Sequence, residues 1–223
     1  FRRVLFRSLP MTALTAVAAD ASNPLFEPSS LPFGYPRFDR IRDEHFAPAF
    51  TRGMAEHLRE VEGIAGDKTT PTLENTLIAL EKGGELLSRV QRVFFNLVGA
   101  HGNDALRAVE KEMAPKLAAH SDAIRLNSAL FARIDSLHAQ IDQLGLDPES
   151  RRLLDRTHRD FVRSGARLGE AEKTRLKALN SEIATLQTTF AQNVLKETNA
   201  SSVIVDRREE LAGLSDAEIA AAG

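Results

Sequence analysis

A chain of 223 residues with 43% hydrophobic side chains can bury a sizeable core, which excludes a disordered chain. Its 29 basic residues nearly cancel 31 acidic ones, so no net field would draw it onto nucleic acid or an anionic membrane. Cysteine is absent, which excludes disulfides, thiol catalysis and cysteine-ligated zinc but leaves both redox compartments open.

In chain order, Arg2, Arg3 and Arg7 precede an apolar stretch from Leu9 to Ala18 that ends in the small-x-small triplet Ala16-Val17-Ala18. Two readings fit. One is a signal peptide, which would make the protein periplasmic; the other is a non-native lead before Met11, which would leave it cytoplasmic. In both, residues 1–22 lie outside the fold. No other stretch approaches the run of about 18 apolar residues that a membrane span needs.

Residues 23–42 contain Pro24, Pro28, Pro32, Pro36 and Gly34, which deny the segment a helix and suit an extended strap anchored by Leu25, Phe26, Leu31, Phe33 and Phe38. A helical region over 43–200 follows. Phe46, Phe50, Met54, Leu58 and Val61 recur at three- and four-residue steps and predict a helix from near Asp43 that stops before Gly63 and Gly66. Thr72 is the expected N-cap of the longest element, whose stripe Leu73, Leu77, Leu80, Leu87, Val90, Phe94 and Leu97 reaches Gly99 over roughly 40 Å. Its missing knob is Gly84, beside Gly83. Close approach of another helix and a kink at the glycine pair explain that gap equally well.

Asn103 opens the next helix, in which Pro115 predicts a bend or break. Asn127 caps one carrying Leu130, Phe131, Ile134, Leu137, Ile141 and Leu144, which Gly145 ends before Asp147-Pro148-Glu149 restarts the chain. Leu153, Leu154, Phe161, Val162 and Leu168 mark a further helix. After Gly169 comes a last one on Leu176, Leu179, Ile183, Leu186, Phe190 and Val194, which makes six main helices. Within 201–223, the β-branched run Ser202 to Asp206 predicts one short strand whose partner lies outside this chain. Ser215-Asp216-Ala217-Glu218 is a capping box that starts a helix, read here as a truncated one. No fixed-period repeat occurs. The expected class is all-α with that single strand.

Chemistry-bearing motifs are sparse. No two of His45, His57, His101, His120, His138 and His158 lie three to five residues apart, so no helical zinc pair forms. Asp135-x-x-His138 and Asp155-x-x-His158 have the spacing of di-iron bundle ligands, but such sites use glutamate and further carboxylates. Ordinary pairing explains them better, with His158 a hydrogen-bonded histidine at the core edge. No nucleophile elbow and no phosphate loop is present. The twelve phenylalanines fall mostly on apolar stripes and are read as core. Asn193, on the inner stripe after Phe190, is expected to hydrogen-bond a helix end or a partner segment.

Several ordered segments resemble a known family. They are Asn23-Pro24-Leu25-Phe26, Leu31-Pro32-Phe33, Phe38-Asp39-Arg40-Ile41, His45-Phe46-x-Pro48-Ala49-Phe50, Thr72-Leu73-Glu74-Asn75-Thr76 and Val93-Phe94-Phe95-Asn96-Leu97. Together they look like the opening of bacterial peptidyl-dipeptidases of the thimet oligopeptidase family, and Arg159 to Ala166 is similar to the peptidyl-dipeptidase branch. The resemblance implies a zinc metallopeptidase of two mostly helical halves around a deep channel, which removes C-terminal dipeptides from short peptides. It implies that the zinc ligands and the general base lie on a His-Glu-x-x-His helix that this chain lacks. No catalytic, cofactor-binding or metal-binding residue is therefore assigned. Zinc is expected in the full-length enzyme but not on this chain, and the segment alone is expected to be inactive. Its partners would be the remainder of its own polypeptide and short peptides, with no nucleic acid, no membrane, and a monomer when complete. The alternative is a self-contained helical interaction domain without catalysis, which predicts independent stability rather than large apolar patches.

Overall fold

The computed structural model describes residues 23–201, 205 and 207–222, and among them the regular structure is helical. Short 3₁₀ turns at Pro32–Gly34 and Asp43–His45 lead into α1, Phe46–Gly66. A π-type stretch, Leu73–Ile78, continues as α2, Ala79–Lys82. Then come α3 (Glu85–His101), α4 (Asp104–Arg125), α5 (Ser128–Ala139), α6 (Pro148–Arg163) and α7 (Glu170–Ala200). A 3₁₀ turn at Arg208–Leu211 precedes α8, Asp216–Ala222. The strand expected over 202–206 falls outside the described residues except for Val205, which has no regular structure.

The starts of these helices follow local chemistry. Thr72 and Asn75 exchange reciprocal bonds, the Asn75 amide donating to Thr72 Oγ1 (3.1 Å) and the Thr72 amide to Asn75 Oδ1 (2.8 Å). Asn103 caps α4 by accepting from the Leu106 amide at 2.8 Å, and Asn127 caps α5 by accepting from the Leu130 amide at 2.9 Å. Asp147 accepts from the Glu149 and Ser150 amides ahead of α6. At α8 the Ser215–Glu218 box forms as expected.

Several expected boundaries are corrected. Gly63 and Gly66 lie inside α1, because Val61 is buried and Ile64 and Ala65 pack beyond it, outweighing about 1 kcal/mol of glycine penalty each. The long element through Gly99 is broken at Gly83–Gly84, where Gly84 sits at φ +72°. Close approach accompanies that break, because a Cβ on Gly84 would fall 2.7 Å from His57 Nδ1. The longest helix is instead α7, with 31 residues. Pro115 does not interrupt α4. Leu106 and Met113 are buried on one side of it and Ile124 packs on the other, enough to outweigh a local cost of about 3 kcal/mol. α5 stops at Ala139, ahead of Leu144, because tightened turns at Gln140 and Ile141 take over its last carbonyls.

Two hydrophobic cores result. The first joins α1, α3 and α4, with Phe46, Phe50 and Phe94 fully buried and both Phe46 and Phe50 edge-on to Phe94 at 5.1 Å. The second joins the π stretch, α5 and α6 through Leu77, Leu130, Ile134, Leu154 and Phe161. α1 belongs to both, with Phe46, Ala49 and Phe50 in the first and Val61 in the second. At Gly53, α1 crosses α3 so closely that a Cβ would meet Leu87 Cα at 2.9 Å.

Candidate interaction surface

α7 turns the wrong way for the core its sequence suggests. Its inner side is small and polar: Asn180 donates to Asp122 Oδ1 on α4 (2.7 Å), and Gln192 donates to the Arg107 carbonyl (3.0 Å) and Glu110 Oε2 (2.9 Å). The large apolar residues face outward, with Ile183 48%, Leu186 60% and Phe190 70% exposed. Leu179 and Val194 extend the stripe to roughly 22 Å at the usual helical rise. From Leu179 to Val194 the expected core stripe is thus an exposed one, only Leu176 at its start being half-buried, and Asn193 beside it is exposed rather than inward. A contiguous apolar face of this kind marks an interaction surface.

A second apolar feature lies on the Pro-rich strap. Asn23 is buried and ties the strap down, donating to the His45 carbonyl at 2.8 Å and accepting from the Leu25 amide. Arg89 of α3 donates to the Leu25 and Phe26 carbonyls at 3.1 and 3.0 Å. Beyond Phe26 the expected anchors Leu31, Phe33 and Phe38 are exposed, as is Tyr35. Phe33 also holds a left-handed backbone at φ +59°, unfavourable for a residue with a Cβ. With Phe95 and Phe190, these residues correct the expectation that the phenylalanines are core.

Four of the six histidines form two pairs the sequence spacing did not reveal. On α1, His57 Nδ1 lies 3.1 Å from Nε2 of His120 on α4, their rings tilted by 52°. The His57 ring occupies the space over Gly84, whose amide donates to Glu60 Oε2 at 2.7 Å. Both histidines line a cleft of about 590 Å³ bounded by α1, α2, α3, α4 and α6. His138 of α5 and His158 of α6 stack at 3.8 Å with 4° between planes. The two Asp-x-x-His pairs meet crosswise: His158 Nε2 lies 2.8 Å from Asp135 Oδ1, and His138 Nε2 lies 3.3 Å from Asp155 Oδ1. Those contacts, more than any other factor, hold the two carboxyls below the usual aspartate range. This clasp between α5 and α6 is the structural outcome expected for His158. Among the described residues no group of three or more histidines, aspartates and glutamates is placed to hold a metal ion.

Three buried polar residues escaped the sequence reading because their partners lie far along the chain. The Arg133 guanidinium donates to the carbonyls of Asp67 (2.6 Å) and Thr69 (3.0 Å), to Asn75 Oδ1 (2.9 Å) and to Thr76 Oγ1 (3.2 Å). Lys173 of α7 donates to Ser128 Oγ at 2.6 Å. Asp122 receives Asn180 through one oxygen while its buried Oδ2 has no partner.

Comparison with known proteins places these features in context. Over 202 residues, 91% of the chain, the sequence is 48% identical to the dipeptidyl carboxypeptidase of Salmonella typhimurium, covering 30% of that protein. The dipeptidyl carboxypeptidase of Escherichia coli is 42% identical over 200 residues, 90% of the chain and 29% of the relative. Oligopeptidase A of Salmonella typhimurium is 25% identical over 201 residues, 90% of the chain and 29% of that protein. The chain spans about 30% of the length of the curated relatives it matches. No family model matches it.

Proposed function

We infer that this chain is a segment of a peptidase of the thimet oligopeptidase family, the group in which its dipeptidyl carboxypeptidase and oligopeptidase A relatives fall, and that it forms a helical wall of the substrate channel. The observation that carries this reading is identity of 48% sustained over 91% of the chain. On this reading the strap over 23–42 and the helical region over 43–200 are one structural half. The complete protein is a monomeric zinc enzyme that removes C-terminal dipeptides from short peptides, without nucleic acid or membrane partners. The catalytic zinc and its general base sit on the remaining polypeptide, so no chemical step is assigned to residues of this chain.

The exposed stripe of α7 supports the same reading. Five large apolar side chains on one helix face are more than a free surface tolerates at ease, and the matched relatives are about three times as long as the aligned segment. We assign the stripe as the face that packs against that remaining polypeptide.

A chimera tests the proposal. Replacing the matched segment of the Salmonella typhimurium dipeptidyl carboxypeptidase by residues 23–223 of this chain is expected to give a folded enzyme that still releases C-terminal dipeptides. A monodisperse, cooperatively folded chimera with no such activity would overturn the assignment and favour the self-contained interaction domain.

A further inference from the structure

The His57–His120 contact lies where three elements meet, and its geometry restricts how many protons it can hold. His120 is buried, and its Nδ1 is buried without a hydrogen-bond partner. Its Nε2 faces His57 Nδ1 at 3.1 Å. One proton on that shared edge makes a hydrogen bond. The less costly tautomer leaves His120 Nδ1 as a bare acceptor rather than an orphaned donor, so His120 Nε2–H donates to His57 Nδ1. A further proton has two places to go. On the shared edge it would set two N–H groups against each other, unless His120 shifts to its Nδ1–H tautomer and so orphans that buried donor. On His120 Nδ1 it would bury a cationic donor that has no acceptor.

The same His57 ring fills the space over Gly84, and Glu60, one turn along α1, accepts the Gly84 amide. α1 therefore closes over the Gly83–Gly84 break through two side chains, and His120 holds one of them from α4. We propose that the His57–His120 contact is an acid-sensitive latch on the glycine break between α2 and α3, closed while both rings are neutral and opened by uptake of a further proton.

The surrounding charges offset that cost only in part. On the cleft side the charged groups are Glu81 of α2, Arg125 of α4, and Arg156 and Asp160 of α6, two of each sign. On the other side, around His57, are Glu56 and Glu60 of α1, Lys82 of α2, and Glu85 and Arg89 of α3. Glu60 is the acid that acts on His57, and it is already engaged by the Gly84 amide. Burial first, and then the neighbouring His57, brings the His120 imidazole down to about 4. Burial lowers His57 as well, against an opposing pull from Glu60. With folded values depressed, the neutral pair's contribution to stability is complete above the ordinary histidine value of about 6.5. It is lost as pH falls from there toward about 4.

Hydrogen exchange on the chain tests the latch directly. An opened latch restores ordinary histidine titration, so the protection factor of the Gly84 amide is expected to fall about tenfold per pH unit below 6.5 and to level off near 4. Amides in the second core, such as those of Ile134 and Leu137, exchange through a larger opening that also frees the pair, so they should share the slope but stay more protected than Gly84 at every pH. Unchanged protection at Gly84, or protection at Gly84 equal to theirs throughout, would overturn the proposal. His120→Phe removes the more depressed ring and is expected to flatten the Gly84 profile, whereas His57→Gln leaves buried His120 titrating and is expected to reduce the slope only in part. A folded variant that keeps the full slope overturns it. Should neither variant fold, the imidazole resonances of the unaltered chain decide: His120 titrating well below 6.5 supports the latch, and His120 titrating at 6.5 or above rules it out.

Discussion

Arg133 shows at the scale of one residue how a loop without regular structure is held. Its guanidinium is buried, and it gathers two backbone carbonyls of the segment between α1 and the π stretch and two side-chain oxygens of the π stretch itself, with Asp67 Oδ2 at 3.3 Å as its carboxylate partner. Arg133→Met preserves most of the apolar stem but orphans these acceptors. We expect a loss of about 3 kcal/mol in urea unfolding, and a change under about 0.5 kcal/mol would show that solvent replaces the network. What the sequence disclosed at this scale was local chemistry. The caps at Thr72, Asn103, Asn127, Asp147 and Ser215 each use an acceptor within three residues of its donor, so composition and order suffice to read them. Arg133, Lys173 and Asp122 find partners more than forty residues away, which no local pattern encodes. The His57–His120 pair was hidden for the same reason, with 63 residues between its members.

For whole elements, periodicity told which helices exist but not what each face meets. α7 carries two periodic sides, one small and polar and one large and apolar, and hydrophobicity alone assigns the second to a core. The structure instead satisfies α4 through Asn180 and Gln192 and leaves Leu186 and Phe190 in solvent. Leu186→Gln combined with Phe190→Gln is therefore expected to alter the stability of this chain by less than about 1 kcal/mol, since neither side chain leaves a buried site. The same pair in the chimera should lower its thermal midpoint by several degrees and reduce activity, because there the stripe is covered. Equal effects in both settings would mean that α7 docks nothing. Pro115 predicts a break that does not form, for a related reason. A rule about backbone hydrogen bonding weighs the residue alone, whereas Leu106, Met113 and Ile124 weigh the whole helix.

Across the molecule, the all-α class and the order of helices were legible because each helix announces itself within about twenty residues. The division of the interior into two cores was not, because it depends on which helices cross. That division bears on how the chain comes apart. α1 contributes Phe46 and Phe50 to one core and Val61 to the other, and it is a continuous helix between them. A helix shared in this way transmits loss of order: melting either end of α1 removes a wall from its own core and shortens the hydrogen-bonded run that supports the other. The two cores should therefore behave as one cooperative unit rather than as separate foldons. Far-ultraviolet circular dichroism and the near-ultraviolet signal of the phenylalanines, followed through urea, are expected to give coincident midpoints, and two resolved transitions would refute the coupling. By the same logic, the slowest-exchanging amides should lie along the middle of α1, making that helix the kinetic spine of the chain although it is not its longest element.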